Sequence, residues 1–291
     1  PLHAFQACAF NHSATSPFKI LINIQYYLEF YTLCYTYKQL QPNIMKKILI
    51  TGSSGFLGSN ILKNLVKSNF FYATTRINKI SKNRNLKFIY FKDHDDLNSK
   101  LKKIKVDIVI HCATNYIKEH TQKDISKITK ANIEFGNIIL ENLNGMRVKS
   151  FINFCTVWQN FNSKRKEPAN LYSASKNAFL EILKFYKKKN NKINYLNLYV
   201  SDTYGENDIR KKIINVIKDN NFKKKKIKII SKKLSLNLLN VKDIVNATMI
   251  AVLKNIKSGD YNIVNNKNFS ISKIILHLKK NKNFQLKIIW G

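Results

Sequence analysis

Cysteine is rare in this chain of 291 residues, and none of its four cysteines stands at a spacing typical of a metal site. Cys112 and Cys155 both fall within apolar runs that are typical of buried strands. The pattern therefore predicts that the protein has no disulfide framework and no metal site, and that it works in the reducing cytoplasm.

Proline is also rare and is concentrated at the start of the chain, since the four prolines are Pro1, Pro17, Pro42 and Pro168. Lysine has the opposite distribution, because it is infrequent in residues 1–44 and frequent afterwards. Residues 20–37 are apolar and aromatic, but polar residues interrupt them, so they predict no membrane span. We expect residues 1–44 to be a non-native or disordered leader, with Met45 as the natural start. The alternative is a membrane or targeting leader.

Acidic residues are few, with 17 Asp and Glu against 51 Lys and Arg, which gives a formal net charge of +34. Such an excess invites a nucleic-acid interpretation. However, the lysines are dispersed, arginine is scarce, and asparagine and isoleucine are equally abundant, which is typical of a codon bias towards AT-rich codons. We therefore predict no nucleic-acid partner, and expect the charge to attract anionic small molecules.

Glycine is scarce as well, with eight residues in the whole chain, yet three of them fall within residues 52–58. An apolar run at 46–51 precedes them, and a helical pattern follows. Three features of a dinucleotide-binding turn each exclude a side chain at one position. They are the tight turn itself, the close approach of the backbone to a diphosphate, and the close packing of the helix on the strand. The pattern predicts a dinucleotide site at a helix N-terminus. The alternative is an ordinary strand-to-helix turn in which the glycines only satisfy the backbone geometry. The predicted cofactor-binding residues of this turn are Gly52, Ser54, Gly55, Phe56, Leu57 and Gly58.

Strand and helix patterns alternate after Met45, which predicts an α/β fold with a doubly wound parallel sheet covered on both faces. The predicted strands are 46–51, 70–75, 86–91, 106–112, 148–154 and 195–199, and the main predicted helices are 124–142 and 169–188. We predict a dinucleotide-binding domain at residues 45–200.

The pattern becomes looser after residue 199. It predicts a turn at 202–206, helices at 209–218, 241–254 and 270–279, and short strands at 227–230, 261–264 and 286–289. We expect residues 201–291 to form a small interleaved substrate-binding lobe. Because the chain stops on an apolar, strand-like run, we also expect that a C-terminal piece is missing.

Tyr172 and Lys176 stand four residues apart, which places them on one face of the predicted helix. An ammonium beside a phenol lowers the pKa of the phenol from its usual ~10, so that it can exchange a proton near neutral pH. Thr156 follows an apolar strand, where its hydroxyl could bond a substrate oxygen. Taken singly, these residues could be a surface tyrosine, a solvated lysine and a helix cap.

In combination, the glycine turn, Thr156 and the Tyr172–Lys176 pair resemble the extended short-chain dehydrogenase/reductase family, also called the NAD-dependent epimerase/dehydratase family. The matching positions also include His111, Cys112, Ala113, Asn132 and the run 239–245. The resemblance covers about residues 45–289 and implies a Rossmann-type fold.

The resemblance also implies roles for individual residues. Tyr172 would be the acid or base, Lys176 would hold the nicotinamide ribose, and Thr156 would orient the reacting oxygen. Cys112 and Ala113 would contact the cofactor, and Asn132 would support the helix geometry. Relatives often form homodimers through two helices, which here would be 124–142 and 169–188.

Two local features bear on the reaction. Family members that eliminate water carry an Asp-Glu pair directly after the threonine, whereas Val157 and Trp158 follow Thr156 here, which disfavours a dehydratase. Epimerases that retain NAD usually end the second strand with an acidic residue, whereas Arg76 stands there in this chain. A cation suits a 2′-phosphate, so we favour NADP(H) over NAD. Arg76 could equally be an ordinary surface residue.

Residues 156–159 and 202–210 resemble those of a subgroup of the family, the nucleotide-sugar 4-ketoreductases typified by CDP-abequose synthase. The implied substrate contacts are Trp158, Gln159, Arg210 and Lys212, with Arg210 suited to bidentate pairing with a diphosphate. The implied function is NADPH-dependent reduction of a nucleotide-linked 4-keto-deoxysugar for surface polysaccharides. The alternatives are a nucleotide-sugar epimerase with tightly bound NAD and, in another class, a non-catalytic dinucleotide-binding regulator.

Overall fold

A computed structural model of the chain describes residues 45–163, 166–206, 208–229, 231, 234–254, 256–280 and 284–290. The predicted leader at 1–44 and the final residue lie outside these ranges. No helix among the described residues combines the length and the apolar character that crossing a membrane requires.

The strands, in chain order, are β1 Lys47–Thr51, β2 Phe70–Thr75, β3 Leu86–Tyr90, β4 Ile108–His111, β5 Ser150–Thr156, β6 Asn194–Val200, β7 Asp202–Tyr204, β8 Ile227–Ile229, β9 Ser235–Leu236, β10 Leu238–Asn240, β11 Gly259–Ile263, β12 Phe269–Ser270 and β13 Ile288–Trp290. The α-helices are α1 Phe56–Leu65, α2 His94–Leu101, α3 Gln122–Thr129, α4 Phe135–Glu141, α5 Leu171–Lys189, α6 Ile213–Phe222, α7 Val241–Leu253 and α8 Ile271–Lys279.

Seven strands form one parallel sheet in the order β3-β2-β1-β4-β5-β6-β11. The chain winds outward from β1 in one direction and then, starting at β4, in the other. The strand order therefore reverses between β1 and β4, and the carboxyl ends of these two strands border a crevice where ligands bind in folds of this kind. The prediction of a doubly wound parallel sheet is confirmed.

Apolar cores lie on both faces of the sheet, as its uninterrupted apolar strands require. One core packs α1 and α7 against the sheet, with Ile61 and Ile244 fully buried. The other packs α2, α4 and α5, with Leu97, Ile139 and Phe179 fully buried. Burial on both faces fixes the strand ends, and with them the residues that follow each strand.

The segment after β6 contributes to two places. β11 joins the main sheet beside β6, and α7 packs on the same face of the sheet as α1. A separate apolar cluster joins α6 and α8, with Ile217 and Ile271 at its centre. β7 pairs with β10, β8 with β13 and β9 with β12, in three small two-stranded sheets.

The predicted helix at 124–142 is not a single α-helix. It consists of α3, a π-helical segment at Lys130–Glu134, and α4. A π turn adds one residue per turn, so it cannot be recognised from apolar periodicity, and such segments are frequent at functional sites. The sequence likewise missed α2, which begins where the Asp93 side chain accepts a hydrogen bond from the backbone N–H of Asp96.

Two further predictions after residue 200 were wrong in detail. The predicted turn at 202–206 contains β7, whose backbone pairs with a strand thirty-odd residues later, which no local pattern can indicate. The predicted helix at 209–218 begins at Ile213 and ends at Phe222, because Arg210 and Lys212 precede it in non-helical backbone.

Candidate active site

The glycine turn brings β1, α1 and the end of β4 into close contact. Gly52 has φ +66°, which favours glycine, and a Cβ there would lie 2.6 Å from the backbone nitrogen of Ala113. A Cβ at Gly58 would run into the carbonyl oxygen of Gly52. These two positions therefore have no room for a side chain, and α1 approaches β1 as closely as backbone permits.

The N-terminus of α1 suits an anion. Gly55 caps the helix, no side chain accepts a hydrogen bond from its first turn, and that turn carries no acidic residue within the described chain. The first N–H groups of a helix lack partners inside the helix and attract negative charge. Ser54 is exposed beside them, and Phe56 and Leu57 are half-buried.

A buried polar contact aligns the ends of β1 and β4. The Nδ1 atom of His111 lies 2.9 Å from Oγ1 of Thr51, and the same Oγ1 accepts a hydrogen bond from the backbone N–H of Ala113 at 3.2 Å. Nε2 of His111 is buried and has no partner among the described residues. Burial lowers the pKa of His111 to about 3, and Lys176 adds to this shift, so the ring is neutral at physiological pH.

The helix α5 carries Tyr172 and Lys176 towards this crevice. Its start is fixed by a capping box, in which the side chain of Asn170 accepts from the backbone N–H of Ser173 and the side chain of Ser173 accepts from that of Asn170. Tyr172 consequently lies in the first turn of α5, and Lys176 follows one turn later.

Lys176 is 3% exposed, and its Nζ donates no hydrogen bond to any described residue. Burial lowers its pKa, and the nearby thiols of Cys155 and Cys112 act in the opposite direction. Burial also raises the pKa of both thiols, so they are neutral and inert. A buried ammonium without an acceptor is costly, and this one therefore fits a role of donating to ligand hydroxyl groups.

The expected lowering of the pKa of Tyr172 by Lys176 does not occur. Burial raises the pKa of Tyr172 to about 12, while a hydrogen bond with Thr114 and the charge of Arg210 lower it in part. The phenol therefore stays protonated at neutral pH and is equipped to donate a proton.

Thr156 ends β5 and is 8% exposed. Its Oγ1 accepts a hydrogen bond from the backbone N–H of Trp158 at 3.3 Å, so its own hydrogen remains able to point to a ligand. Trp158 is half-buried, and its ring stacks on that of Phe161 at 6.3 Å between centroids.

Gln159 is fully buried, which does not support its predicted contact with a substrate. Its Oε1 accepts from the backbone N–H of Thr156 at 2.9 Å, and its Nε2 donates to Oδ1 of Asn177 at 2.8 Å. The oxygen and the nitrogen of the amide are therefore both used in hydrogen bonds within the chain. Gln159 ties the end of β5 to α5 and positions Thr156.

Asn132 lies in the π-helical segment and is 1% exposed. Its Oδ1 accepts from the hydroxyl of Thr114 at 2.9 Å and from the backbone N–H of Asn115 at 2.7 Å. Its Nδ2 donates to the backbone oxygen of Asn115 at 3.2 Å and to Oγ of Ser175 at 2.9 Å. One amide therefore joins the loop after β4 to α5.

Arg210 reaches across the crevice to the glycine turn. Its guanidinium carbon lies 4.1 Å from the ring centroid of Phe56. Its Nε and Nη2 donate to the two carboxylate oxygens of Asp208 at 2.6 and 2.8 Å, and Nη2 also donates to the backbone oxygen of Thr203. We expected this bidentate pairing for a diphosphate, but a carboxylate of the chain itself occupies it.

Lys212 and Tyr116 extend the site on the side of Tyr172. The Nζ atom of Lys212 lies 3.5 Å from a carboxylate oxygen of Asp202 and 4.6 Å from the ring centroid of Tyr116. The ring of Tyr116 meets that of Tyr172 edge-on, with centroids 4.9 Å apart. The sequence interpretation missed Tyr116, although its place shortly after the end of β4, beside the predicted crevice, could have indicated it.

Arg76 is exposed directly after β2 and makes no ion pair within the described residues. Its place at the carboxyl end of the strand next to β1 is where a group would meet the ribose of a bound dinucleotide. Among the described residues, no group of three or more His, Cys, Asp or Glu side chains could hold a metal ion.

These features fit a nicotinamide dinucleotide. The cradle of Gly52 and Gly58 excludes side chains, and among the described residues the first turn of α1 has no acid and the buried amine of Lys176 has no hydrogen-bond acceptor. The diphosphate would lie at the turn, and the nicotinamide ribose would lie at Lys176.

Known proteins with a similar sequence or fold agree with this assignment. A family model described as the NAD-dependent epimerase/dehydratase family matches residues 48–264. CDP-abequose synthase from Yersinia pseudotuberculosis is 28% identical over 210 residues, which are 71% of this chain and 73% of the relative. CDP-abequose synthase from Salmonella muenchen is 24% identical over 259 residues, which are 86% of this chain and 85% of the relative.

Solved structures show the same fold. UDP-glucuronic acid 4-epimerase from Bacillus cereus, in complex with NAD, matches with a TM-score of 0.73 at 21% identity, and the match covers 84% of this chain and 85% of that one. At this level of identity the likeness concerns the fold alone.

Proposed function

The chain belongs to the NAD-dependent epimerase/dehydratase family, and we propose that it reduces the 4-keto group of a nucleotide-linked deoxysugar with NADPH, in the cytoplasm, for surface polysaccharide biosynthesis. The observation that carries the proposal is that Thr156 ends β5, and that Tyr172 and Lys176 both lie near Cys155, the residue directly before it. Residues 45–200 hold the cofactor, and residues 201–291 contribute to the substrate site.

Tyr172 is the proton donor. Its pKa of about 12 keeps the phenol protonated, so that its hydrogen can pass to the carbonyl oxygen as that oxygen gains negative charge. Thr156 donates a hydrogen bond to the same oxygen, because its Oγ1 already accepts from Trp158 and its hydrogen is available. When bound, the nicotinamide supplies the hydride that reaches the carbonyl carbon. Lys176 holds the cofactor through the ribose hydroxyls.

Reduction is favoured over elimination of water by the residues after Thr156. Elimination needs an acid and a base at the sugar, and Val157 and Trp158 offer neither. The two curated relatives described above carry the name of a synthase of a 3,6-dideoxyhexose, which supports a deoxysugar as substrate. Lys212 contacts the ring of Tyr116, which in turn contacts the ring of Tyr172. Its ammonium provides positive charge for the diphosphate of a nucleotide sugar.

NADPH is favoured over NADH by Arg76. A guanidinium pairs well with a 2′-phosphate, and Arg76 is exposed and without an ion pair among the described residues. The dispersed positive charge of the chain strengthens binding of any such anion at low ionic strength.

The proposal is tested by replacing Tyr172 with phenylalanine. With a CDP-linked 4-keto-3,6-dideoxyhexose and NADPH, wild type should oxidise NADPH, whereas Tyr172→Phe should bind NADPH normally and lose at least about 100-fold in kcat. Tyr186→Phe is the matched control, since Tyr186 lies on the same helix, where its hydroxyl donates to Glu141 at the surface. An active Tyr172→Phe enzyme would contradict the assignment.

The epimerase alternative predicts a different outcome. An epimerase retains its nicotinamide, so denatured protein would release NAD in a one-to-one ratio, and added NADPH would not be consumed. Such a result would replace the reductase with the epimerase and would leave the roles of Thr156, Tyr172 and Lys176 in place.

A further inference from the structure

Tyr116 makes an aromatic contact with Tyr172. The two rings meet edge-on, at 85° and with centroids 4.9 Å apart. On its other side, Tyr116 receives the ammonium of Lys212, 4.6 Å from its ring centroid. Tyr116 is 37% exposed, so it lies at the surface with part of its ring packed against Tyr172. The ring is held between a cation and the phenol that donates the proton.

The backbone on both sides of this ring pair is held by one amide. Asn132 accepts a hydrogen bond from the backbone N–H of Asn115 and donates to its backbone oxygen, directly before Tyr116. The same Nδ2 donates to Ser175, whose hydroxyl donates to the backbone oxygen of Tyr172 at 2.7 Å. The distance between the two tyrosine backbones is therefore set by a side chain that is itself 1% exposed.

Backbone anchoring leaves the side-chain torsions of Tyr172 undetermined. The ring contact restricts rotation about both χ angles, in addition to the hydrogen bond between the Tyr172 side chain and Thr114. A proton donor must lie within hydrogen-bond reach of its acceptor, and small misplacements are costly in rate.

We propose that Tyr116 is a positioning residue, which holds the phenol of Tyr172 in the orientation that proton transfer to the sugar oxygen requires. The inference rests on the proposed function, since it assigns Tyr116 a part in that reaction. It requires the ring of Tyr116 and not its hydroxyl, because the contacts with Tyr172 and Lys212 are both made by the ring.

The test compares three variants of the full chain in steady-state reduction of the CDP-linked 4-keto-3,6-dideoxyhexose. Tyr116→Leu removes the ring and should lower kcat about tenfold while KM stays within about twofold. Tyr116→Phe keeps the ring and should have the same kcat as wild type. Phe185→Leu is the matched control, because Phe185 also makes an edge-on ring contact, with Tyr186, on the outer part of α5.

Unchanged kcat in Tyr116→Leu would overturn the proposal, and so would a rise in KM alone, since that would make Tyr116 a substrate contact. Failure of Tyr116→Phe to restore kcat would overturn it as well, because the hydroxyl would then be required. Equal thermal melting and NADPH binding across the variants establishes that the comparison concerns folded protein.

A second readout separates this inference from the proposed reaction. Crystal structures of Tyr116→Phe and Tyr116→Leu should show one orientation of the Tyr172 ring in the first and several, or a new one, in the second. If wild type does not reduce the substrate, the proposed reaction fails while the structures still decide whether Tyr116 orients Tyr172. A Tyr172 ring that is unmoved in Tyr116→Leu would overturn the inference whatever the reaction.

Discussion

The guanidinium of Arg210 lies over the ring of Phe56, 4.1 Å from its centroid, and so joins the segment after β6 to the glycine turn. Asp208 holds the guanidinium in place through two hydrogen bonds, and the side chain of Asp208 is 0% exposed. Burial raises the pKa of the Asp208 carboxyl, but Arg210 outweighs this effect and the pKa lies below its ordinary value. The pair therefore carries a charge on each partner at neutral pH.

Removal of Arg210 should destabilise the protein, because it leaves the buried Asp208 carboxylate without a countercharge, although the backbone N–H of residue 210 still donates to it. Arg210→Met should lower the free energy of unfolding at pH 7 by about 2 kcal/mol, somewhat less than for a fully buried pair since Arg210 is 30% exposed. Arg210→Met with Asp208→Leu should recover most of the loss. Urea unfolding measures both, and Lys242→Met, in an exposed pair with Glu206, is the control.

The same pair has a defined pH dependence. The pKa of Asp208 is lowered by folding, so its stabilising contribution is present above the ordinary aspartate pKa of ~3.9 and is lost as pH falls through the folded value. Wild type and Arg210→Met should therefore differ at pH 7, and the difference should shrink as pH falls below ~3.9. A difference that persists undiminished at pH 3 would argue against a role for the charge.

A side chain at Gly58 should weaken the cofactor site. The Cβ of Gly58→Ala would meet the carbonyl oxygen of Gly52, so α1 must move away from β1, at a cost of about 1–3 kcal/mol in stability. NADPH affinity, measured by its fluorescence, should fall at the same time. Gly145→Ala is the control, because its Cβ would lie 3.6 Å from the nearest atom, which is an ordinary contact.

Arg76 should determine the choice of cofactor. Arg76→Ala should weaken NADPH binding about tenfold and leave NADH binding nearly unchanged, because only NADPH carries the 2′-phosphate. Arg84→Ala is the control, since Arg84 is also exposed and lies in the same loop between β2 and β3. Equal affinity of wild type for both cofactors, by fluorescence titration, would remove the main argument for a reductase.

His111 should make the protein sensitive to acid. Its pKa is about 3 in the folded chain against ~6.5 when unfolded, so the unfolded state binds a proton first as pH falls below that value. Stability should then fall by about 1.4 kcal/mol per pH unit from His111 alone. His111→Phe should show a smaller loss between pH 7 and 5 in urea unfolding. The exposed His277→Gln should match wild type; an equal slope in His111→Phe would disprove the assignment.

The fold follows from the sequence to a large extent because its signals are local. β1 and the glycine turn are recognisable since backbone sterics admit only glycine at Gly52 and Gly58. The buried parallel strands are nearly continuous apolar runs, and their alternation with helices admits few topologies. The π-helical segment at Lys130–Glu134 was not predictable, because a turn with one extra residue has no distinctive amino-acid composition.

The candidate site divides in the same way. The sequence by itself determined which chemical groups are present. It places Thr156 at the end of a strand, and it places Tyr172 and Lys176 one helical turn apart, so that these two side chains share one face of the helix. Tertiary structure alone decided how each group is used: burial raises the pKa of Tyr172 instead of lowering it, and Gln159 turns inward to hold Thr156. Desolvation and partner choice depend on all neighbouring elements at once, and these come from distant parts of the chain.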